Sequence, residues 1–333
     1  MEIKGYATYR PGACLEPFTY AAQELKPFEI LIKVTHCGLC HTDLYMIENG
    51  WKRSTYPLLP GHEIVGTVIK KGALSQKEIN DRVGVGWIYS SCLSCPECVQ
   101  GDTNICQKKT GIYNQGHFGG FATHVIADSR FSYIIPKSLD SAHAAPLLCA
   151  GATVYSALKK HKIKEGMSIG VIGIGGLGHL AIQFAKALGA KVSAISSTKG
   201  KELEAKELGA EYFYTFDNPP KNNTFDYLLC TVDASLDWNQ ILLFLRPNGV
   251  LCLVSRPQQG LTFDPMNLVS TQRTICGSNN ATQEVMNEML AFAAAHKILP
   301  WIEEMPLSQI NMGIEKLKNN QVRYRLVLYT EEK

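Results

Sequence analysis

The sequence lacks any marked excess of charge of one sign. It has 33 basic and 30 acidic residues, a formal net charge of +3, and no run of lysine or arginine longer than a pair. This balance offers no electrostatic surface for nucleic acid or for an anionic membrane. Apolar residues make up 45% of the chain and charged residues 19%, which excludes a disordered or collagen-like protein. We therefore expect a globular protein that acts on a small molecule.

The sequence also lacks a secretory signal and a membrane span. No apolar run follows the first six residues, so a cytoplasmic protein is expected. The segment 166–185 contains no Asp, Glu, Lys or Arg, but five glycines between Gly170 and Gly178 favour a buried strand, a tight turn and a helix. In a reducing cytosol the eleven cysteines are expected to be thiols or metal ligands rather than disulfides.

The length and the hydrophobic pattern indicate two domains. A chain of 333 residues exceeds the usual size of one hydrophobic core. The first 150 residues show short alternating apolar runs, which predict a β-rich domain. From about Gly166 strands and helices alternate, which predicts an α/β domain with a parallel sheet. The expected strands are 168–172, 191–195, 226–231 and 250–254, the helices 177–188, 201–208 and 236–245, and the turn 246–249; a helix at 282–296 and a strand at 324–328 follow.

A cluster of cysteines is the strongest chemical signal in the sequence. Cys92, Cys95, Cys98 and Cys106 place four thiols within fifteen residues. A tightly turning segment can offer four thiolates to one tetrahedral Zn²⁺, and a site with four protein donors is closed and therefore structural. The three-residue spacing also serves iron–sulfur clusters, so that alternative stays open.

A glycine motif lies where the first parallel strand should end and the next helix begin. In this position glycines let the backbone approach a pyrophosphate at the helix N-terminus. We therefore predict a dinucleotide site on the loop formed by Gly173, Ile174, Gly175, Gly176, Leu177 and Gly178.

The end of the second parallel strand lacks the carboxylate that would bind a ribose 2′-hydroxyl. The first acid after this strand is Glu202. Hydroxyl and ammonium groups suit a 2′-phosphate, so the sequence predicts NADP(H), although the same groups also cap helices. The predicted contacts are Ser196, Ser197, Thr198 and Lys201.

Six further side chains can bind a metal or transfer a proton. They lie far apart in the sequence, and spacing alone does not choose among them. They are Cys37, Cys40, His41, His62, Glu63 and Cys149.

Several motifs together resemble the zinc-dependent medium-chain alcohol dehydrogenases, and most of all their cinnamyl alcohol dehydrogenase branch. The resemblance runs in the family's order from about residue 10 to residue 328. It implies a GroES-like catalytic domain, residues 1–149 plus 284–333 with a structural-zinc lobe at 90–107, around a Rossmann domain at 150–283. The motifs are Cys37–Leu44, Gly61–Gly66, the four cysteines, Pro146–Tyr155, the glycine loop and Val322–Arg325.

The resemblance also implies roles for individual residues. Cys40, His62 and Cys149 correspond to the ligands of a catalytic zinc, which makes two zinc ions per chain. Glu63 resembles a carboxylate that can approach or replace the zinc-bound water, and Thr42 resembles the hydroxyl that relays a proton. The family pattern adds cofactor contacts at Thr42, Thr153, Thr231, Ser278, Asn279 and Asn280. A homodimer formed by edge pairing of the Rossmann sheets is implied as well.

The chain departs from the family pattern at several positions. Tyr45 replaces a histidine at the far end of the proton relay, and a phenol with a pKa near 10 is a poor proton acceptor at pH 7. The strand end at 254–256 and the segment 280–282 lack the usual glycines, and the loop 112–120 is short. Candidate apolar walls of a substrate pocket are Trp51, Tyr89, Tyr113 and Trp301.

These observations favour an NADPH- and zinc-dependent reductase of aromatic and aliphatic aldehydes to primary alcohols, reversible in principle. One alternative is an NAD-dependent dehydrogenase of small alcohols. Another is a non-catalytic protein that binds NADPH and zinc on the same fold.

Overall fold

The computed structural model describes residues 1–114, 116–257 and 259–330. The chain forms two compact units: a split unit, Met1–Cys149 with Thr282–Lys333, and an inserted unit, Ala150–Ala281. The boundary expected at 149/150 lies at the structural one, and that expected at 283/284 lies two residues beyond it. Among the described residues, no helix has both the length and the apolar character needed to cross a bilayer.

The strands and helices have the following bounds. The first strands are β1 (Glu2–Ala7), β2 (Glu16–Ala21), β3 (Glu29–Leu39), β4 (Glu63–Lys71), β5 (Arg82–Val85), β6 (Ile88–Ser90), β7 (Thr110–Gly111), β8 (His124–Asp128) and β9 (Ser132–Ile134). The helices among them are α1 (His41–Ile47), α2 (Pro96–Val99) and α3 (Ser141–Pro146). The inserted unit contains α4 (Ala152–Lys160), β10 (Ser168–Ile172), α5 (Gly178–Ala187), β11 (Lys191–Ser196), α6 (Glu202–Glu207), β12 (Tyr212–Thr215), β13 (Phe225–Cys230), α7 (Trp238–Phe244), β14 (Leu245–Leu253), α8 (Met266–Val269) and β15 (Thr274–Gly277). The chain then returns to the split unit with α9 (Gln283–His296), β16 (Ile302–Pro306), α10 (Ile310–Lys318) and β17 (Arg325–Tyr329).

The split unit is built around the long strand β3. In the described residues its main sheet has the order β16-β17-β3-β4-β5-β9, and β8 pairs with the first half of β3. All pairs are antiparallel except β16 with β17. The second half of β3, from His36 to Leu39, lies between β4 and β17. This arrangement brings residues from both ends of the sequence to one end of the sheet.

The inserted unit contains a parallel sheet of the order β12-β11-β10-β13-β14-β15. This is the Rossmann order. The first three strands are added toward one edge of the sheet and the next three toward the other, so the strand order reverses between β10 and β13. The predicted doubly wound sheet is therefore confirmed. Its central strands are apolar because both faces are covered: in β10 every residue after Ser168 is buried.

One predicted turn lies inside a strand. The sequence pattern places residues 246–249 between a helix and the strand 250–254, but β14 begins at Leu245. The pairing with β13 moves from Phe225 opposite Leu245 to Tyr227 opposite Val250, so the four residues bulge out of the ladder. Asn248 has a φ of 60°, a left-handed conformation that asparagine tolerates.

Candidate metal centres and dinucleotide site

The split unit gathers four donor groups that are far apart in the sequence. The ligand atoms of Cys40, His62, Glu63 and Cys149 all lie within 4.8 Å of one another. Nε2 of His62 lies 3.3 Å from Sγ of Cys149. Donors around a tetrahedral Zn²⁺ lie about 3.6 Å apart, as Zn–S and Zn–N bond lengths require. Cys37 is buried outside this group and His41 is exposed, so the structure separates four of the six candidates from the other two.

Three different local structures position these ligands. Cys40 follows β3 and is the N-cap of α1, in an extended conformation with φ −120° and ψ 154°. His62 directly precedes β4, and Glu63 is the first residue of that strand. Cys149 lies in the π-helical segment Leu147–Gly151. Single π-helical turns of this kind are frequent at functional sites.

A buried carboxylate connects two of the ligands. Asp43 is fully buried, and its Oδ1 accepts hydrogen bonds from Nδ1 of His62 at 2.9 Å and from the backbone N–H of Gly61 at 3.1 Å. Its Oδ2 accepts the backbone N–H of Cys40 at 3.0 Å. The hydroxyl of Tyr113 donates to the same Oδ1 at 3.0 Å. With Nδ1 of His62 donating to Asp43, Nε2 is left as the metal-binding nitrogen.

Glu63 is held at the other side of the cluster by a buried arginine. Arg325 on β17 donates a short hydrogen bond from Nη2 to Oε1 of Glu63, and both side chains are almost fully inaccessible. Oε2 of Glu63 has no hydrogen-bond partner among the described residues. A Cβ at Gly38 would overlap this oxygen, so a side chain there would displace the Glu63 carboxylate. An unpartnered buried carboxylate oxygen beside two thiols and an imidazole fits a cation bound between them.

Burial and mutual contacts shift the pKa values of these groups in different directions: that of Cys40 falls, whereas those of Cys149, His62 and Glu63 rise, so protons compete with a metal for these three ligands. Hydrogen bonding from Cys149 is the largest effect that holds the pKa of Cys40 well below its ordinary value, although burial opposes it. Burial disfavours a charged His62, but the Asp43 carboxylate outweighs it and raises the pKa of His62 well above its ordinary value. Burial raises the pKa of Glu63 to about 7, against the lowering effect of Arg325.

The sulfur atoms of the four clustered cysteines also lie close together. The ligand sulfurs of Cys92, Cys95, Cys98 and Cys106 lie within 4.8 Å of one another. Sγ of Cys92 is 3.9 Å from that of Cys98 and 3.6 Å from that of Cys106. Hydrogen bonds from the Ser94 backbone and other nearby donors lower the pKa of Cys92 to about 5. Four thiols this close together fit a closed structural metal site with four protein ligands.

The glycine loop connects β10 to α5 in the inserted unit. A Cβ at Gly175 would meet no atom within 4 Å, so the backbone there is open to a ligand. At Gly178 a Cβ would overlap the carbonyl oxygen of Gly173, and Gly173 itself has a φ of 93°. Glycine at 178 thus allows close packing of the helix, and glycine at 175 leaves room for a pyrophosphate.

The other predicted cofactor residues lie mainly at the carboxyl ends of the parallel strands. Thr231 follows β13, and its Oγ1 donates to the carbonyl of Ile172 at 2.9 Å. Ser196 ends β11, and Nζ of Lys201 donates to the carbonyl oxygen of Ile174 at 2.6 Å. The segment Ser278–Asn280 follows β15, whereas Thr153 lies in the first turn of α4. Ligands of open α/β sheets bind at this edge of the sheet.

Comparison with known proteins identifies the family. Residues 26–137 match the model of the alcohol dehydrogenase GroES-like domain, and residues 176–295 match that of the zinc-binding dehydrogenases. An aldehyde reductase of Synechocystis sp. is 39% identical over 98% of this chain and 98% of its own length. The chain belongs to the zinc-dependent medium-chain alcohol dehydrogenases, in their cinnamyl alcohol dehydrogenase branch.

Solved structures of this branch have the same fold. A cinnamyl alcohol dehydrogenase of Sorghum bicolor has a TM-score of 0.94 and 34% identity, with both chains covered completely. The CAD of Helicobacter pylori, solved in complex with NADP(H), has a TM-score of 0.93 and 29% identity, with 100% of this chain and 99% of that chain covered. The GroES-like and Rossmann folds predicted from the resemblance are confirmed.

Some residues of this alcohol dehydrogenase have contacts that the sequence does not predict. Asp43 and Arg325 lie within the quoted motifs, which assign them no role. Tyr113 and Tyr89 are predicted as pocket walls. Tyr113 is instead buried against Asp43 and His62, and the Tyr89 hydroxyl donates to Glu29 at 2.5 Å.

An aromatic group of three side chains, Tyr45, Trp51 and Trp87, lies beside His62. The ring of Trp87 lies 5.5 Å from that of His62 and 6.3 Å from that of Trp51. Trp51 in turn stacks on Tyr45, with ring centroids 5.5 Å apart and planes at 8°. Trp301 packs on Tyr324. Trp87 was missed because a single tryptophan on a short strand connection carries no pattern in the sequence. In the loop 112–120, Gln115 lies outside the described residues.

Proposed function

We propose that the protein is a zinc-dependent aldehyde reductase that forms primary alcohols with NADPH, in a reversible reaction. The observation that supports this most directly is the convergence of Cys40, His62 and Cys149 beside the unpartnered oxygen of Glu63. Three protein ligands leave a fourth position for substrate, as in catalytic zinc sites, of which the Cys₂His site of alcohol dehydrogenases is an established example. The similar aldehyde reductase of Synechocystis supports the same reaction class.

The proposed metal content is two zinc ions per chain. Cys40, His62 and Cys149 would hold the catalytic ion, with Glu63 as an alternate ligand, and the four clustered cysteines would hold the structural one. The bound catalytic ion supplies a Lewis acid for the carbonyl oxygen, and the reduced nicotinamide supplies the hydride.

The protein's own groups orient the ligands and move the proton. Asp43 fixes the tautomer and the ring orientation of His62 through the 2.9 Å hydrogen bond. Thr42, in the first turn of α1 directly after His41, is the proposed donor of the proton to the product alcohol. Tyr45 lies three residues further along this helix, at the position expected for the far end of the relay, where its phenol of high pKa is proposed to contribute little.

The preference for NADPH rests on the groups at the end of β11. Ser197 and Thr198 are exposed there, and the ammonium of Lys201 reaches the glycine loop. Glu202 is the first acid after the strand, and its carboxylate pairs with Lys206 at 2.8 Å. This end of the strand therefore presents hydroxyl and ammonium groups, which bind a 2′-phosphate. The solved CAD of Helicobacter pylori in complex with NADP(H) supports the same choice.

The aromatic group formed by Tyr45, Trp51 and Trp87 is the proposed wall for the substrate. Flat rings beside the ligand His62 suit an aromatic or extended aldehyde, because ring stacking adds to apolar burial.

We also propose a cytoplasmic homodimer. None of the eleven cysteines forms a disulfide, and β15 is an edge strand available for pairing with a second copy.

The initial rate of NADPH oxidation with cinnamaldehyde tests the proposal. We expect turnover with NADPH, a lower kcat/KM with NADH, and measurable turnover of a small aliphatic aldehyde. Cys40→Ser should abolish turnover and remove one zinc ion. Equal or higher kcat/KM with NADH would reject the cofactor assignment. Cofactor binding without turnover of any aldehyde, in protein holding two zinc ions, would establish the non-catalytic alternative.

Two lysines provide a matched test of the cofactor site. Lys201→Ala removes the proposed phosphate contact, whereas Lys191→Ala removes an exposed lysine at the opposite end of β11. A charge-assisted hydrogen bond contributes about 1.5–3 kcal/mol, so Lys201→Ala should raise the KM for NADPH by roughly 10- to 100-fold. The KM for NADH and the Lys191→Ala variant should change little.

A further inference from the structure

A third cluster of metal-binding side chains lies in the inserted unit. The ligand atoms of His161, Cys252 and Cys276 are within 4.8 Å of one another. Cys252 on β14 and Cys276 on β15 are register partners on adjacent parallel strands. His161 directly follows α4 and is its C-cap. None of the three belongs to the predicted dinucleotide site or to the zinc sites of the split unit.

The geometry matches that of the Cys₂His cluster in the split unit. Nε2 of His161 lies 3.2 Å from Sγ of Cys276, and the corresponding distance from His62 to Cys149 is 3.3 Å. Both pairs are close to the separation of about 3.6 Å that a tetrahedral Zn²⁺ imposes on a nitrogen and a sulfur ligand. The donor set, two thiols and one imidazole, is also the same.

The sheet and the helix hold these side chains in place. The ring of His161 packs 5.2 Å from the ring of Tyr227 on β13, and the Tyr227 hydroxyl donates to the carbonyl of Ala157 on α4. Tyr227 is paired with Val250, two residues before Cys252, so Tyr227 and Cys252 face the same side of the sheet. Cys252 is fully buried, whereas Cys276 and His161 are partly exposed. An ion can therefore enter from the side of Cys276.

A metal ion fits the two cysteines better than a disulfide does. Paired residues on neighbouring parallel strands have nearly parallel Cα–Cβ bonds, so their Cβ atoms lie close to the strand spacing of about 4.8 Å. A disulfide needs Cβ atoms about 3.8 Å apart. A disulfide would also leave the contact of His161 with Cys276 without a role, whereas a thiophilic ion uses all three groups.

We propose that His161, Cys252 and Cys276 form a third metal site, which binds one thiophilic divalent cation of the Zn²⁺ class. Two thiolates neutralise the charge of such an ion, so no net charge is buried. Three protein ligands leave a fourth position on the exposed side for water. The bound ion would tie the edge strand β15 to β14 and to the end of α4. This site is independent of the proposed reductase activity.

Native mass spectrometry of the full-length protein, loaded with Zn²⁺ and then desalted, tests the site. We expect one more zinc ion per chain in the wild type than in Cys276→Ser and in His161→Gln. Cys230→Ser, a buried cysteine of β13 outside the cluster, and Cys14→Ser, an exposed cysteine, are the matched controls and should keep the wild-type count. Because the result is a difference, the zinc content of the split unit cancels.

Cobalt provides an independent readout. The difference between the spectra of Co²⁺-loaded wild type and Co²⁺-loaded Cys276→Ser should show thiolate-to-cobalt charge transfer, and the difference for Cys14→Ser should not. Equal zinc counts in the wild type, Cys276→Ser and His161→Gln would overturn the proposal. The proposal would be replaced by a disulfide under two conditions. The mass of air-exposed wild type would be lower by two hydrogens, a decrease absent in Cys252→Ser, and the zinc counts would not differ.

Discussion

Nδ1 of His62 donates a hydrogen bond of 2.9 Å to Oδ1 of Asp43, and the other oxygen of the same carboxylate accepts the backbone N–H of Cys40. One buried side chain thus orients two of the three proposed ligands of the catalytic zinc. Outer groups of this kind fix the tautomer of a ligating histidine and raise its basicity.

Asp43→Asn should weaken zinc binding at the catalytic site by about 10- to 100-fold. The amide loses the charge and, in either orientation, directs an N–H₂ group at a donor. Competition with a chelator, followed by zinc analysis, measures the effect. Tyr113→Phe removes only one hydrogen bond to Asp43 and should have a much smaller effect. Wild-type zinc retention in Asp43→Asn would show that Asp43 does not position the ligands.

Arg325→Met should destabilise the split unit because it leaves the buried Glu63 without its counter-charge. Breaking a buried ion pair costs about 3–5 kcal/mol, whereas removing both charges costs far less. The thermal unfolding midpoint should therefore fall in Arg325→Met and recover in the double variant with Glu63→Gln. A double variant as unstable as the sum of the two single losses would argue against the pairing.

Two glycines of the dinucleotide loop should respond differently to alanine. Gly175→Ala places its methyl group in open space, so the protein should fold normally. The KM for NADPH should nevertheless rise, because the methyl group blocks the approach of the pyrophosphate to the backbone. Gly178→Ala forces its methyl group against the Gly173 carbonyl and should lower the unfolding midpoint. Kinetics and thermal unfolding of both variants separate the two roles. An unchanged KM in Gly175→Ala would remove this loop from the cofactor site.

The proton relay is tested on one helix. Thr42→Ala should lower kcat by on the order of 10² while zinc content stays constant, because general acid catalysis typically contributes this much. Tyr45→Phe retains the ring that stacks on Trp51 and removes only a hydroxyl of high pKa, so kcat should change by less than about threefold. Steady-state kinetics at saturating NADPH distinguish these outcomes. A wild-type rate in Thr42→Ala would exclude it from proton transfer.

The sequence predicted the inserted unit better than the cluster of Cys40, His62, Glu63 and Cys149, for a physical reason. Strand β10 has the bounds predicted for it, because a strand buried on both faces forms an uninterrupted apolar run. The four clustered cysteines are local, so their spacing alone indicated a metal. His62 and Cys149 are 87 residues apart and meet only through the sheet and the π-turn. No periodicity indicates such a contact, and only the resemblance to a family selected these ligands.

Local sequence rules predict one of the contacts of Asp43 but not the contact of Arg325 with Glu63. Asp43 stands at the third position of α1 after the N-cap Cys40, where an acid commonly bonds back to the cap backbone. That rule predicts the contact with Cys40 but not the contacts with His62 and Tyr113. Arg325 is 262 residues from Glu63, and only the pairing of β17 beside β3 brings them together.

The position of β17 also has a consequence for the order in which the protein is completed during synthesis. The inserted unit is contiguous, whereas β3 of the split unit cannot gain its neighbour β17 until the ribosome has passed Arg325. At about 5–20 residues per second, the ribosome takes roughly 9–35 s to translate from Cys149 to that residue. Throughout this interval Cys40 and Cys149 have been made, but Arg325, which pairs with Glu63, has not. We therefore expect the nascent chain to complete the inserted unit before the cluster of Cys40, His62, Glu63 and Cys149.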